Sequence, residues 1–174
     1  MFNSIRSQIE HIGEEQRYLG SDWEAAQYRL LDYYARIMPK VFDVERCSIF
    51  LADHEGGANW LTAGTGLPQR EVGSDKLAES IVGETIRSGK DIYRDDLEQN
   101  DHFNQEVVGS ATASVKDVFC MPFRSLDGAN ITGAVQLVNR KGGEPYSDDD
   151  KELLADMLHR LEISMESNYN RKSS

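Results

Sequence analysis

Residues 115–140 read VKDVFCMPFRSLDGANITGAVQLVNR. Two runs, VKDVFCMPF at 115–123 and NITGAVQLVNR at 130–140, flank SLDGAN, whose Asp-Gly suits a tight reversal. The stretch therefore reads as a β-hairpin. Both runs are apolar at alternate and at intervening positions alike, and a strand without a wet side is covered on both faces. That decides the architecture: helices on one side of a sheet, and on the other a second cover, most economically the excursion at 75–114.

C-terminal to the hairpin, Asn139-Arg140 leads through Gly142-Gly143 to the run Tyr146-Ser147-Asp148-Asp149-Asp150. Ser147 and Asp150 have the spacing of a capping box, and the carboxylates oppose the positive end of a helix, so a helix begins near Asp148. It is expected to reach about Tyr169, with Leu154, Leu158, Leu161 and Met165 at steps of four, three and four, flanked by Leu153 and Met157. The stripe is longer than one sheet face needs, and its surplus reads as an oligomer seam.

N-terminal to the hairpin, RCSIFLAD (46–53), the turn HEGGAN and WLTAGTG (60–66) form a second strand pair. A helix lies within SDKLAESIVGETIRSG and ends at Gly89, followed by a short extended DIYR. The segment DDLEQNDHFNQEVVGSATAS is polar and lacks a sustained period; structured excursions of this length are commonly functional. A helix from about Trp23 to Met38 carries Leu30, Tyr34, Ile37 and Val41 on one side, backed by Leu31 and Met38, with Pro39 perturbing its end. Ile5, Ile9, Ile12 and Leu19 make a thinner stripe, and Gly20-Ser21-Asp22 is expected to end that first helix and cap the next. The organisation expected is an N-terminal helical extension and oligomer seam at 1–22, one α+β domain at 23–168 and a tail at 169–174.

The chain has 174 residues and a formal net charge of −11, enough for one core and adverse to nucleic acid or an anionic membrane surface. No apolar run approaches bilayer length and the start carries no secretory segment, so a cytoplasmic location is expected. Cys47 and Cys120 lie inside apolar runs, as buried thiols do. His11, His54, His102 and His159 have no ligand spacing, and Asp148–Asp150 lacks the alternation of a calcium loop, so no metal site is expected.

The order of ERCSIFLAD, SIVGETIRSGKDIYRDD and FCMPFRSLDGANITGAVQLVNRK resembles a GAF domain, the small-molecule sensor fold of cyclic-nucleotide phosphodiesterases, cyclases, phytochromes and bacterial signalling proteins. The resemblance spans roughly residues 23–168. It implies a central antiparallel sheet of about six strands, with N- and C-terminal helices on one face and a ligand pocket under a loop and helix lid on the other. Cyclic-nucleotide-binding members carry Asn-Lys, a spacer, Phe, three residues and Asp-Glu; here the positions read Asn139-Arg140, Tyr146 and Asp150-Lys151. In the family a Lys–Asp ion pair ties the strand end to the last helix. Arg140 with Asp150 is suited to the same tie, a structural clasp rather than a ligand contact.

By the same resemblance the cyclic phosphate of a nucleotide would meet the amides at Ile81, Val82 and Gly83. The pocket wall would include Ser48, Thr65, Asn104, Val108, Ala111, Thr112, Val115 and Gln136. Val108, Ala111 and Val115 replace an acid and hydroxyls of several members, which removes side-chain hydrogen bonds to a purine. The reading is a non-enzymatic regulatory domain without catalytic residues, a homodimer through its N- and C-terminal helices. It would sense cAMP, cGMP or another small molecule and act on a downstream effector domain. The alternatives are a dimerisation module with a degenerate pocket, and a free methionine sulfoxide reductase of the cysteine-dependent GAF branch. The last requires Cys120 accessible and near a second thiol.

Overall fold

The structure, a computed structural model, describes residues 18–52, 59–64, 70–72, 80–97 and 115–173, with side-chain surroundings for 29–51, 64, 80–97 and 115–166. In chain order these form α1 (Tyr18–Val41), β1 (Val44–Ala52), β2 (Asn59–Gly64), β3 (Arg70–Val72), α2 (Ile81–Ser88), β4 (Ile92–Arg94), β5 (Val118–Arg124), β6 (Ile131–Arg140) and α3 (Asp148–Ser173). The strands make one sheet in the order β3-β2-β1-β6-β5-β4, and every neighbouring pair is antiparallel. The body is the four strands β1, β2, β5 and β6, of 9, 6, 7 and 10 residues. At the two edges lie β3 and β4, of three residues each.

The fully apolar hairpin is covered on both sides, as its sequence requires. On one face Cys47, Ile49 and Leu51 of β1, Phe119, Met121 and Phe123 of β5 and Val135 and Leu137 of β6 pack with Leu31, Ala35 and Met38 of α1 and Leu154, Leu158, Leu161 and Met165 of α3. On the other face Phe50, Val118, Cys120, Ala134 and Val138 pack with Val82 of α2 and with Leu97. Burying two layers of large side chains supplies the main driving force for folding, about 1.5–3 kcal/mol for each such residue. At the centre β1 and β6 approach so closely that a Cβ on Gly133 would stand 2.1 Å from the Phe50 carbonyl oxygen.

Local signals set most of the boundaries. Ser80 caps α2 by accepting from the Gly83 amide, and Gly89 ends it in the left-handed conformation at φ 66°. Ser147 and Asp150 exchange a backbone–side-chain pair at the start of α3: Asp150 N donates to Ser147 Oγ at 3.1 Å and Ser147 N donates to Asp150 Oδ2 at 2.9 Å.

Three expectations give way. The break at Gly20-Ser21-Asp22 does not occur, and α1 runs unbroken from Tyr18. An interior glycine costs a helix only about 1 kcal/mol, less than the burial of Leu31, Ala35 and Met38 further along it returns. Leu154, Leu158, Leu161 and Met165 are not an oligomer seam: they are 0%, 5%, 0% and 3% exposed, filling the core beneath α3 within this chain. The tail expected at 169–174 is helical as far as Ser173. The stripe at Ile5, Ile9 and Ile12 lies outside the described residues, as does most of the 1–22 extension.

Candidate functional site

The α2 face of the sheet carries a polar row inside an apolar layer. Ser48 of β1 and Cys120 of β5 both stand opposite Gln136 of β6. Directly paired residues of antiparallel strands project to the same side. The three therefore lie on one face, the face that Phe50, Ala134 and Val138 fix as the α2 side. Ser48 is 1% exposed, and Gln136 and Cys120 are both 0% exposed.

Neither amide atom of Gln136 makes a hydrogen bond of ordinary geometry. The Cys120 thiol does lie close enough to Gln136 and to Thr85 to feel both. Burial nevertheless pushes that thiol up to about 12, so it is protonated and inert.

The amides at the start of α2 are partly engaged. Gly83 N donates to Ser80 Oγ at 3.1 Å, and Glu84 N donates to the Ser80 carbonyl at 3.0 Å. Val82 is 0% exposed and belongs to the core of this face, with Ile81 and Val115 packed beside it. Val82 therefore contributes packing, whatever its backbone does. Thr65, Asn104, Ala111 and Thr112, together with Val108, lie outside the described residues.

The motif residues Asn139, Arg140, Tyr146 and Asp150 are brought together around the C-terminal end of β6. Arg140 Nη1 reaches Asp150 Oδ2 at 2.9 Å, and its guanidinium lies 4.4 Å from the Tyr146 ring centroid. Tyr146 in turn stacks on Phe119 at 4.5 Å and meets Tyr93 edge-on at 5.9 Å. Asn139 has φ 58°. Its Oδ1 accepts from Lys116 N at 2.7 Å, and its Nδ2 donates to Glu45 Oε2 at 2.8 Å. Asp117 closes the knot by accepting from Arg140 N at 3.0 Å through Oδ1. Burial pushes the Asp117 carboxyl up from its ordinary value, against the pull of that backbone bond. The Ser147 amide, with Arg140 adding to it, holds the Asp150 carboxyl below the usual range.

The two thiols are on opposite sides of the sheet. Cys47 packs with the α1 and α3 layer and Cys120 with the α2 layer. Cys47 donates to Met38 Sδ at 3.7 Å, and burial raises its pKa strongly. Among the described residues no cluster of His, Cys, Asp and Glu stands ready for a metal ion, and no helix is long and apolar enough to cross a membrane. A groove of about 440 Å³ lies on the α1 and α3 side, lined by Gly89, Met121, Arg124, Leu158 and His159 among others. None of the sequence-predicted site residues lines it.

Arg46 was not legible as a site residue. It precedes Cys47-Ser48 in an apolar run, and only the parity of β1 carries the signal. Arg46 pairs with Val138, two places from the Ser48–Gln136 pair and in unbroken register, so it stands on the α2 face.

Comparison with known proteins places this geometry. The family model of the GAF domain matches residues 29–165. The chain is a member of the GAF family. It is 27% identical over 144 residues to a dual 3′,5′-cyclic-AMP and -GMP phosphodiesterase 11A of Takifugu rubripes, a match covering 76% of this chain and 15% of that protein. The chain thus spans only a small part of that relative.

In fold it is similar to the GAF domain of an Acinetobacter phosphoenolpyruvate-protein phosphotransferase, with a TM-score of 0.66 at 14% identity, covering 99% of this chain and 97% of the other. It is also similar to a free methionine-R-sulfoxide reductase from Neisseria meningitidis in complex with its substrate, with a TM-score of 0.66 at 13% identity over 96% and 89% of the two chains.

Proposed function

We propose that this chain is a non-enzymatic regulatory domain that binds a small molecule on the α2 face of its sheet. It would pass the bound state to a further domain through α1 and α3. The observation that carries this reading is Gln136, a side chain with two donors and an acceptor, fully enclosed and without a well-formed hydrogen bond. A buried amide left in that condition costs about 1–3 kcal/mol. A ligand edge that meets it recovers that energy only when bound, which ties occupancy to the state of the sheet. Ser48 beside it offers a hydroxyl for the same edge.

Cyclic AMP and cyclic GMP are the first ligands to try, because the phosphodiesterase relative is named for both. Gln136 is the residue to read a base edge, while the apolar Val115 offers no side-chain hydrogen bond. The sulfoxide reductase reading lacks its chemistry in the two cysteines, which lie buried in the layers on opposite sides of the sheet. Dimerisation, if it uses α1 and α3, would fall on their exposed apolar residues Tyr33, Val41, Leu153 and Ile163 rather than on the buried stripe.

The test is a thermal-shift screen of the purified chain against cyclic nucleotides, amino acids and tetrapyrroles, with Gln136→Met alongside. A ligand that binds the native form alone raises the melting temperature. A rise in the wild type that shrinks in Gln136→Met supports the reading. A flat response to the whole panel, or an undiminished response in the variant, removes it.

A further inference from the structure

We propose that Arg46 makes the α2 face of the sheet an oxyanion site, in which its guanidinium holds a carboxylate or phosphoryl group of the ligand beside Ser48 and Gln136. All three guanidinium nitrogens of Arg46 are closed off from solvent, and no hydrogen bond reaches them. A guanidinium keeps its positive charge and presents five N–H donors in a planar fork. A buried cation with no counter-charge is among the costliest arrangements a fold can keep.

Among the described residues the ion pairs lie elsewhere. Arg36 pairs with Asp32, Arg94 with Glu84, Arg140 with Asp150 and Arg160 with Asp156. The nearest acid in sequence, Glu45, is engaged by Asn139 Nδ2.

The placement gives this orphan cation its meaning. Arg46 is opposite Val138 and Ser48 is opposite Gln136 on the same two strands, so Arg46 and Gln136 are diagonal neighbours on one face. Diagonal neighbours stand about 7–8 Å apart at their backbones, within the reach of long side chains. A buried cation and an unsatisfied amide so arranged fit a small molecule with an anionic group at one end and a hydrogen-bonding edge at the other. The chain is otherwise strongly acidic, with a formal net charge of −11. Long-range attraction of an anion is therefore absent, and its retention must come from this local contact. The inference rests on the sensor reading above and narrows its ligand to a class. It moves the charge-holding role from the amides of α2, one of which is spent on Ser80, to a strand residue.

The experiment compares melting temperatures of the wild type, Arg46→Met and Arg46→Lys at constant ionic strength. The probes are millimolar sodium acetate, sodium phosphate, cyclic AMP and cyclic GMP, with adenosine and guanosine as uncharged counterparts. The expected result is a rise of about 3 °C or more in the wild type with at least one oxyanion. The carboxylate and phosphate arms tell which group the fork prefers. Arg46→Met should lose that rise and melt higher than the wild type without ligand, because the uncompensated charge has gone. Arg46→Lys should keep part of the rise, with affinity lower by about tenfold.

A lower melting temperature for ligand-free Arg46→Met would identify Arg46 as an internal stitch and overturn the proposal. So would a full oxyanion response in that variant. A wild type that responds to nucleosides but to no oxyanion would overturn the Arg46 assignment and leave the sensor reading standing. A wild type that responds to nothing would overturn both.

Discussion

Arg140 Nη1 and Asp150 Oδ2 are 2.9 Å apart, and the same carboxylate oxygen accepts the Ser147 amide at 2.9 Å. One atom thus closes the capping pair with Ser147 and anchors α3 to the end of β6. The guanidinium that supplies the anchor also lies over Tyr146, which stacks on Phe119 of the core. Strand end, ring and helix start are therefore tied together at one point.

Asp150→Ala removes the carboxylate half of the capping pair and the ion pair together, while the backbone N of residue 150 keeps its bond to Ser147 Oγ. It should lower stability by about 1 kcal/mol in urea unfolding, most of it from the lost Ser147 N bond because the ion pair is partly exposed and screened. Arg140→Lys retains the charge but loses the planar contact with Tyr146, and should cost less than Asp150→Ala. Because the folded Asp150 carboxyl titrates below its ordinary value, its contribution is present at neutral pH and disappears as pH falls through that lowered value. Equal unfolding midpoints for Arg140→Lys and wild type would show that the ring contact contributes nothing.

Asn139 joins the same junction through its backbone. With φ 58° it occupies the left-handed region, and its side chain satisfies Lys116 N and Glu45. Asn139→Gly should retain the conformation while losing the side-chain bonds. Asn139→Ala should lose both and be less stable than the glycine variant by about 1 kcal/mol. Chemical unfolding of the pair measures that difference, and an alanine variant at least as stable as glycine would place the whole effect in the side chain.

Gly133 and Gly142 separate two reasons for a glycine. A Cβ at Gly133 would meet the Phe50 carbonyl oxygen at 2.1 Å, whereas Gly142 has φ 84° and nothing within 4 Å of its added Cβ. Gly133→Ala must push β1 from β6 at the centre of the sheet and should cost about 3 kcal/mol or more, while Gly142→Ala should cost about 1 kcal/mol. Urea unfolding of both variants gives the ranking. If Gly133→Ala is not recovered in soluble form, Gly133→Ser in a refolding titration should show the same loss.

Much of this arrangement is legible in the residues because it is local. The hairpin at 115–140, the capping pair Ser147 and Asp150 and the stop at Gly89 are fixed by turn chemistry and helix-end hydrogen bonding within a few positions. What escapes is set at long range. The three-residue β3, Arg-Glu-Val, has no pattern of its own and exists by pairing with β2. The stripe on α3 reads as surplus until α1 is seen packing beside it over the same sheet face. Arg46 looks like a surface charge opening a strand. Only the register with Val138 and Gln136 turns it inward, and sequence alone does not supply that register.

Glu162 offers a titration that reports on α3 from within. It is 5% exposed, its Oε2 accepts from Thr132 Oγ1 of β6 at 3.3 Å, and the Glu166 carboxylate one turn on adds repulsion. Burial is the larger cause, and it lifts the carboxyl from an ordinary 4.5 to about 7. The folded chain therefore holds a proton that the unfolded chain releases. This contribution to stability is complete below about 4.5, declines as pH rises through about 7, and is gone above it. Glu162→Gln keeps the hydrogen bond to Thr132 without the charge. It should flatten that part of the pH–stability curve and melt higher than the wild type at pH values above about 7. Melting curves taken from mildly acidic to mildly alkaline pH provide the check. A wild-type slope that survives unchanged in Glu162→Gln would assign the titration to another group and leave α3 without a proton-sensitive contact to β6.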